Sequence, residues 1–235
     1  MSKGGLAILA LVILACLATA WLAGRADDRQ VASDDANDFL TPVSDVTTHE
    51  VVETFRFSSE ADMQLPELPT GCEATALGTT LRLNDIPATK AEVADAMPKG
   101  DGSDFVNRFW GDPCTPYGWA CMAPCVVDTA KVFLPSDKTV LDLSGTPLSS
   151  LPAPCVVWVT IGIEEGVPSG YEQSGYRLLE NPHCVTLLAV GEDTVTCYDP
   201  LEGLEEYPFS KFENAYAANG RQAVYIADRG YAPLE

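Results

Sequence analysis

The sequence predicts an α+β domain in which a helical layer from the first half packs on an antiparallel sheet from the second. Three observations predict it. Apolar positions Ala74, Leu77 and Leu81 recur at helical spacing just after the breaker run Leu68-Pro69-Thr70-Gly71. Branched apolar runs at Cys155–Ile161 and His183–Val190 read as buried strands. Helical patterns come first and strand patterns afterwards, with no regular alternation, which is the order of segregated layers rather than of crossover units.

Taken in order, the chain opens with an uncharged run, Leu6–Ala23, preceded by Lys3 and followed by Arg25, Asp27 and Asp28. Its length is at the short end for crossing about 30 Å of hydrocarbon, so residues 1–26 are expected to act as a membrane anchor or a cleaved signal peptide. Ala18-Thr19-Ala20 offers a cleavage site, and Ile13-Leu14-Ala15-Cys16 weakly matches a lipidation box. Each alternative exports the remainder to the cell surface or beyond. Residues 27–50 are acidic and aperiodic and read as a solvated tether, and 51–235 as the folded domain.

Within the domain, Val51–Phe57 reads as a short strand and Cys72 to about Leu83 as the first helix. Thr89-Lys90-Ala91-Glu92 is a capping box for a second, short helix closed by Pro98 and Gly100. Residues 99–118 form a Gly, Asp and Pro-rich loop, and Phe105, Phe109, Trp110, Tyr117 and Trp119 either anchor it or wall a groove. Cys121–Leu134 looks helical through Met122, Val126, Ala130 and Phe133. The sheet is then supplied by Cys155–Ile161, by a hairpin of His183–Val190 and Thr194–Tyr198 turning at Gly191-Glu192-Asp193, and by Val224–Ala227.

A formal charge of -20 repels phosphate backbones and anionic headgroups, so neither nucleic acid nor a membrane surface is an expected partner beyond the N-terminal segment. No glycine-rich phosphate loop follows a strand, and no cofactor is expected. Glu164-Glu165 and Glu205-Glu206 read as solvated loop pairs. Beyond the first segment lie seven cysteines: Cys72, Cys114, Cys121, Cys125, Cys155, Cys184 and Cys197. In an oxidising compartment six would pair and one would remain as a reactive thiol. Alternation along the hairpin disfavours a Cys184 to Cys197 bridge. The trio Cys114, Cys121 and Cys125 has no paired Cys-x-x-Cys knuckle, and no metal site is expected there.

Cys72 is the expected reactive thiol, because the first turn of a helix presents unpaired N–H groups and a positive dipole end that favour a thiolate. A thiol nucleophile needs a base. The chain holds two histidines, His49 in the tether and His183 at the start of the hairpin. Asp199, in Tyr198-Asp199-Pro200, ends the return strand where it can orient the His183 imidazole. Gln64, upstream of Cys72, offers a side-chain amide as a second oxyanion donor beside the Cys72 N–H.

The run from Gln64 to Thr75, the block Phe109-Trp110-Gly111-Asp112-Pro113 continuing to Gly118-Trp119-Ala120-Cys121-Met122-Ala123-Pro124, His183-Cys184-Val185 and Tyr198-Asp199-Pro200 resemble a known family. It is that of the stand-alone relatives of the double-glycine leader peptidases, family thirty-nine of the cysteine peptidases, in the papain-like superfamily. The resemblance spans about Gln64 to Ile226. It implies a papain-like fold, Cys72 as nucleophile, His183 as general base and acid, Asp199 as its orienting partner and Gln64 as oxyanion donor. Gln64 precedes Cys72 by eight positions, a wider spacing than in the transporter-linked members. The expected activity is hydrolysis of peptide or protein amides by an exported monomer. A catalytically silent module binding peptide or cell-envelope partners, and an amidase acting on cell-wall peptides, are the alternatives.

Overall fold

A computed structural model describes residues 63–231; the expected anchor, the tether, His49 and the strand at Val51–Phe57 lie outside the described residues. Helix α1 (Cys72–Leu83) starts where the Pro-Thr-Gly turn releases the chain, and its inner face is small and apolar. Gly78 faces helix α2 (Lys90–Ala96) so closely that a Cβ there would touch the Lys90 backbone at 3.4 Å. The capping box expected for α2 is formed: the Thr89 hydroxyl accepts from the Glu92 N–H, and the Glu92 carboxylate accepts from the Thr89 N–H.

Two short parallel strands, β1 (Lys99–Gly100) and β2 (Phe109–Trp110), bracket the aromatic loop. Helix α3 (Ala123–Ala130) carries Pro124 in its first turn. It is shorter than the periodicity over Cys121–Leu134 predicts, because proline favours the first helical turn and the chain leaves the helix in turns after Ala130. Strands β3 (Lys138–Asp142), β4 (Cys155–Thr160), β7 (Pro182–Val190), β8 (Thr194–Asp199), β9 (Gly203–Pro208) and β10 (Ala223–Asp228) form a six-stranded sheet of order β3-β10-β4-β7-β8-β9. Its pairs are antiparallel throughout. Strands β5 (Pro168–Gln173) and β6 (Tyr176–Leu179) make a separate hairpin.

The architecture is the expected mixed helix and antiparallel sheet, extended by β3, β9, the β5/β6 hairpin and a second helical layer. Helix α4 (Phe209–Ala218) covers the second face of the sheet, so the sheet lies between two helical layers. On the α1 side the core holds Leu77, Leu81, Val93, Val126, Trp158, Val224 and Ile226. On the α4 side it holds Val157, Val159, Leu187, Val195, Phe212 and Tyr216. Strand β4 is buried at all of its positions, which is why it reads as a continuous apolar run.

The aromatic loop is anchored. Trp110 stacks on Trp119 at a centroid separation of 4.9 Å, both pack edge-on to Tyr171 of β5, and the Trp119 indole donates to the Leu179 carbonyl. Glu205 and Glu206 lie on edge strand β9 rather than in a loop. The hydrophobic residues of β9 are too sparse for alternation to declare a strand.

The helical layer is registered on the sheet by polar contacts at the centre of an apolar interface. The Thr186 hydroxyl of β7 donates to the Ala76 carbonyl of α1 at 3.0 Å, and Thr80 donates to Thr186 at 3.4 Å. Leu77, fully buried beside them, is expected to cost about 2 to 5 kcal/mol when replaced by alanine, read as a lowered denaturant midpoint with an unchanged slope.

Candidate active site

The turn before α1 is built to deliver residue 72. Pro69 and Gly71 end the preceding segment, and Gly71 is required by close approach: a Cβ would stand 2.8 Å from Leu68 Cβ and 3.2 Å from Pro113 Cβ. The segment is tied down at its start, where the Gln64 N–H donates to the Pro200 carbonyl at 2.8 Å. Lys90, paired with Glu67 at 2.8 Å, also donates to the Met63 carbonyl. Cys72 then opens the helix, where the first N–H groups have no intrahelical acceptor.

The hairpin brings its members to the same place. Thr186 lies opposite Tyr198 and Leu187 opposite Cys197, which carries Asp199 toward the start of β7. His183 Nε2 is 2.7 Å from Asp199 Oδ1, both side chains being 2% exposed. Asp199 Oδ1 also accepts from the Leu201 N–H at 2.8 Å. The His183 ring is a hydrogen-bonding neighbour of the Cys72 thiol. Because Nε2 is engaged by Asp199, Nδ1 is the nitrogen left to exchange a proton with sulfur. The structure therefore brings Cys72, His183 and Asp199 together.

Gln64 is buried beside the same turn, its Nε2 donating to the Pro69 carbonyl at 3.1 Å while Oε1 has no partner among the described residues. One Nε2 proton is thereby used and one remains.

The protonation pattern follows from these contacts. Cys72 is held well below the ordinary thiol value by a hydrogen bond from Cys184, which with the His183 imidazole outweighs the cost of burial. Burial would lower His183, but the bonds to Asp199 and Cys72 win and raise it to about 10. Asp199 is held low against its own burial by His183. A thiolate facing an imidazolium is the state all three directions describe.

Two members of the site escaped sequence reasoning. Glu73, 1% exposed, places Oε2 3.2 Å from Cys72 Sγ, while Oε1 accepts from the Cys121 N–H at 2.9 Å. Burial, and then the nearby Cys72 charge, push its carboxyl well above the ordinary value. A second anion at that distance from a thiolate in a dry site is unfavourable, so the proton stays on Glu73 and the acid donates to sulfur. Cys184, fully buried, is the other. It lies in the α1-side core, whereas Cys197 lies in the α4-side core, and the sheet separates them as alternation predicts.

The structure holds Cys72, Cys114, Cys121, Cys125, Cys155, Cys184 and Cys197 as free thiols instead of bridging six of them. The sheet is the reason for part of this, since it keeps Cys155 and Cys197 away from Cys121, Cys125 and Cys184. Cys114 is exposed while Cys121 and Cys125 are buried, and among the described residues that trio forms no donor cluster. The group that does converge is Cys72, Glu73 and Cys184, whose ligand atoms lie within 4.8 Å of one another. Among the described residues no helix is long and apolar enough to cross a membrane.

Replacing Asp199 by Asn is expected to lower the His183 pKa and move the onset of Cys72 alkylation by iodoacetamide to higher pH. The sign for folding is also fixed. Stability contributed by the His183 proton is fully present below the ordinary value of 6.5 and is lost as pH rises through about 10, a loss the Asn variant should not show in denaturant titrations. Glu73→Ala is expected to raise the alkylation onset by about one to two pH units, as for loss of a hydrogen bond to a charge, while Glu73→Gln, which keeps a donor, stays near the parent.

Comparison with known proteins identifies relatives of the chain. The peptidase C39-like family model matches residues 54–224. The crystal structure of a candidate C39-like peptidase from Bacillus anthracis is similar, with 26% identity and a TM-score of 0.60, over 72% of this chain and 94% of that one. A double-glycine motif protease from an AMS/PCAT transporter, in complex with the leader peptide, shares 14% identity at a TM-score of 0.45, over 71% of this chain and 89% of that one. The peptidase domain of Streptococcus ComA, a bifunctional ABC transporter of a quorum-sensing pathway, shares 12% identity at a TM-score of 0.44, over 68% and 92%. No curated protein matches the chain.

Proposed function

Since the chain belongs to the peptidase C39-like family and is a cysteine peptidase of papain-like fold, we propose that it hydrolyses peptide amides through a Cys72, His183 and Asp199 triad and a thioester intermediate. The observation that carries the reading is the His183 to Asp199 bond of 2.7 Å with Cys72 as the other neighbour of the same ring. The Cys72 thiolate attacks the substrate carbonyl carbon, and the carbonyl oxygen takes up the negative charge. Its donors are the Cys72 N–H at the tip of α1 and the second Nε2 proton of Gln64. The imidazolium of His183 then protonates the leaving nitrogen as the C–N bond breaks, leaving the acyl group on sulfur. In the second half His183 takes a proton from water as the hydroxide oxygen attacks the thioester carbon; the C–S bond then breaks, Cys72 regains its charge, and the released carboxylic acid loses its proton to solvent.

Asp199 keeps the ring oriented and offsets its charge in each half. Glu73 and Cys184 act as positioning residues, donating to sulfur between turnovers. The N-terminal segment, 1–26, supports export and a membrane anchor or cleaved signal, with 27–50 as a tether and the domain working as a monomer at the cell surface.

The test is digestion of a fluorogenic peptide library. Cys72→Ala is expected to abolish turnover, and Gln64→Ala to lower kcat about a hundredfold or more at similar KM, the usual loss for one oxyanion donor. Undiminished hydrolysis by Cys72→Ala would remove the triad reading.

A further inference from the structure

Three acidic side chains converge on one dry point. Cys72 Sγ, Cys184 Sγ and a Glu73 carboxylate oxygen lie within 4.8 Å of one another, and the residues are 6%, 0% and 1% exposed. One thiolate there is balanced by His183, and the other two groups keep their protons. Peptide hydrolysis asks for one reactive sulfur. A second thiol and a carboxyl aimed at it make a donor set of another kind.

We propose that Cys72, Glu73 and Cys184 form a binding site for a thiophilic divalent cation, zinc first among them, which masks the nucleophile reversibly. Two thiolates and one carboxylate are a soft donor set of the kind that fills three positions of a tetrahedral site. Ligand atoms about 2.3 Å (sulfur) and 2.1 Å (oxygen) from a tetrahedral zinc stand roughly 3.6 to 3.8 Å apart. The present separation of 3.2 Å between Cys72 Sγ and Glu73 Oε2 needs to open by only a few tenths of an ångström.

The set is braced from behind. Glu73 Oε1 is fixed by the Cys121 N–H at 2.9 Å, which turns Oε2 toward the sulfurs as a single-oxygen ligand. Cys184 is fixed by β7, paired with Trp158 of β4. Among the described residues, the remaining titratable groups facing the cluster are His183 and Cys121.

The charge balance closes. With Cys72 Sγ, Glu73 Oε2 and Cys184 Sγ this close in a dry site, one anion set against the His183 and Asp199 pair is the most the cluster can hold, so the other two groups stay protonated until a cation arrives. Binding M²⁺ displaces those two protons to solvent and leaves His183 protonated against Asp199, so two positive charges leave and two arrive. The buried site keeps its net charge, which makes the exchange affordable in a low dielectric.

The full chain, reduced with a phosphine, is titrated with Cd²⁺ as the probe and then with Zn²⁺ in competition. The expected result is a sulfur-to-cadmium ultraviolet charge-transfer band with the amplitude of two thiolates, saturating at one equivalent per chain. Two protons are released per ion in weak buffer, and iodoacetamide labelling of Cys72 is blocked until a chelator is added. Cys184→Ser is expected to weaken binding at least 100-fold, and Glu73→Gln to cut proton release from two to one. A band of one-thiolate amplitude, parental affinity in Cys184→Ser, or loss of the band in Cys121→Ser would each overturn the proposal. None of these readouts uses peptide hydrolysis, so the site stands or falls separately from the peptidase mechanism.

Discussion

A negative charge on sulfur, nearly sealed from water at the tip of a helix, is the condition the rest of the molecule serves. An uncompensated buried ion costs several kcal/mol, and no single neighbour offsets that. Here the helix end supplies oriented N–H dipoles, β7 supplies an imidazole and a thiol from successive residues, and α1 itself supplies an acid at position 73. These come from parts of the chain more than a hundred residues apart. They hold station only because α1 is registered on β7 by Thr186, Ala76 and Thr80, inside an interface that is otherwise apolar.

How much of this was legible in the sequence differs by element. Helix α1 was readable to its ends because Pro69 and Gly71 leave no ambiguity about where it begins and Asn84 and Pro87 about where it stops. The hairpin of β7 and β8 was readable because its apolar runs flank one turn, and its geometry then put His183 near Asp199. Glu73 was not readable: a glutamate in a first helical turn has a sufficient explanation in the helix dipole, and nothing local says that the loop before α3 will close over it. For Cys184 alternation gave its separation from Cys197 but not its place beside Cys72, since alternation gives side and not distance. Strands β3, β5, β6 and β9 and helix α4 were missed because their apolar residues are few or interrupted, and packing rather than pattern decides them.

The sheet also divides the buried cysteines into two groups. On the α4 side Cys155 and Cys197 are pushed up by burial, with no cation or donor to reverse the effect, and behave as small apolar side chains. On the α1 side Cys72 is pulled down by its partners, and Cys184 is pushed up by burial while lending its proton to Cys72. Of Cys72, Cys121 and Cys184 on the α1 side only Cys72 is pulled down, the other two being raised by burial like those of the α4 side, so immediate partners rather than burial decide which thiol is acidic. One layer of backbone about one strand thick is enough to separate the two groups.

Strand β9 closes one border of the sheet, with a further run of peptide groups turned outward from β8. Along that border stand Glu205 and Glu206, and Pro208 ends it without an N–H to offer. A second molecule docking there edge to edge would bring carboxylates against carboxylates and meet a gap in the ladder at the proline. The open rim of β9 is thereby poorly suited to strand addition by another molecule.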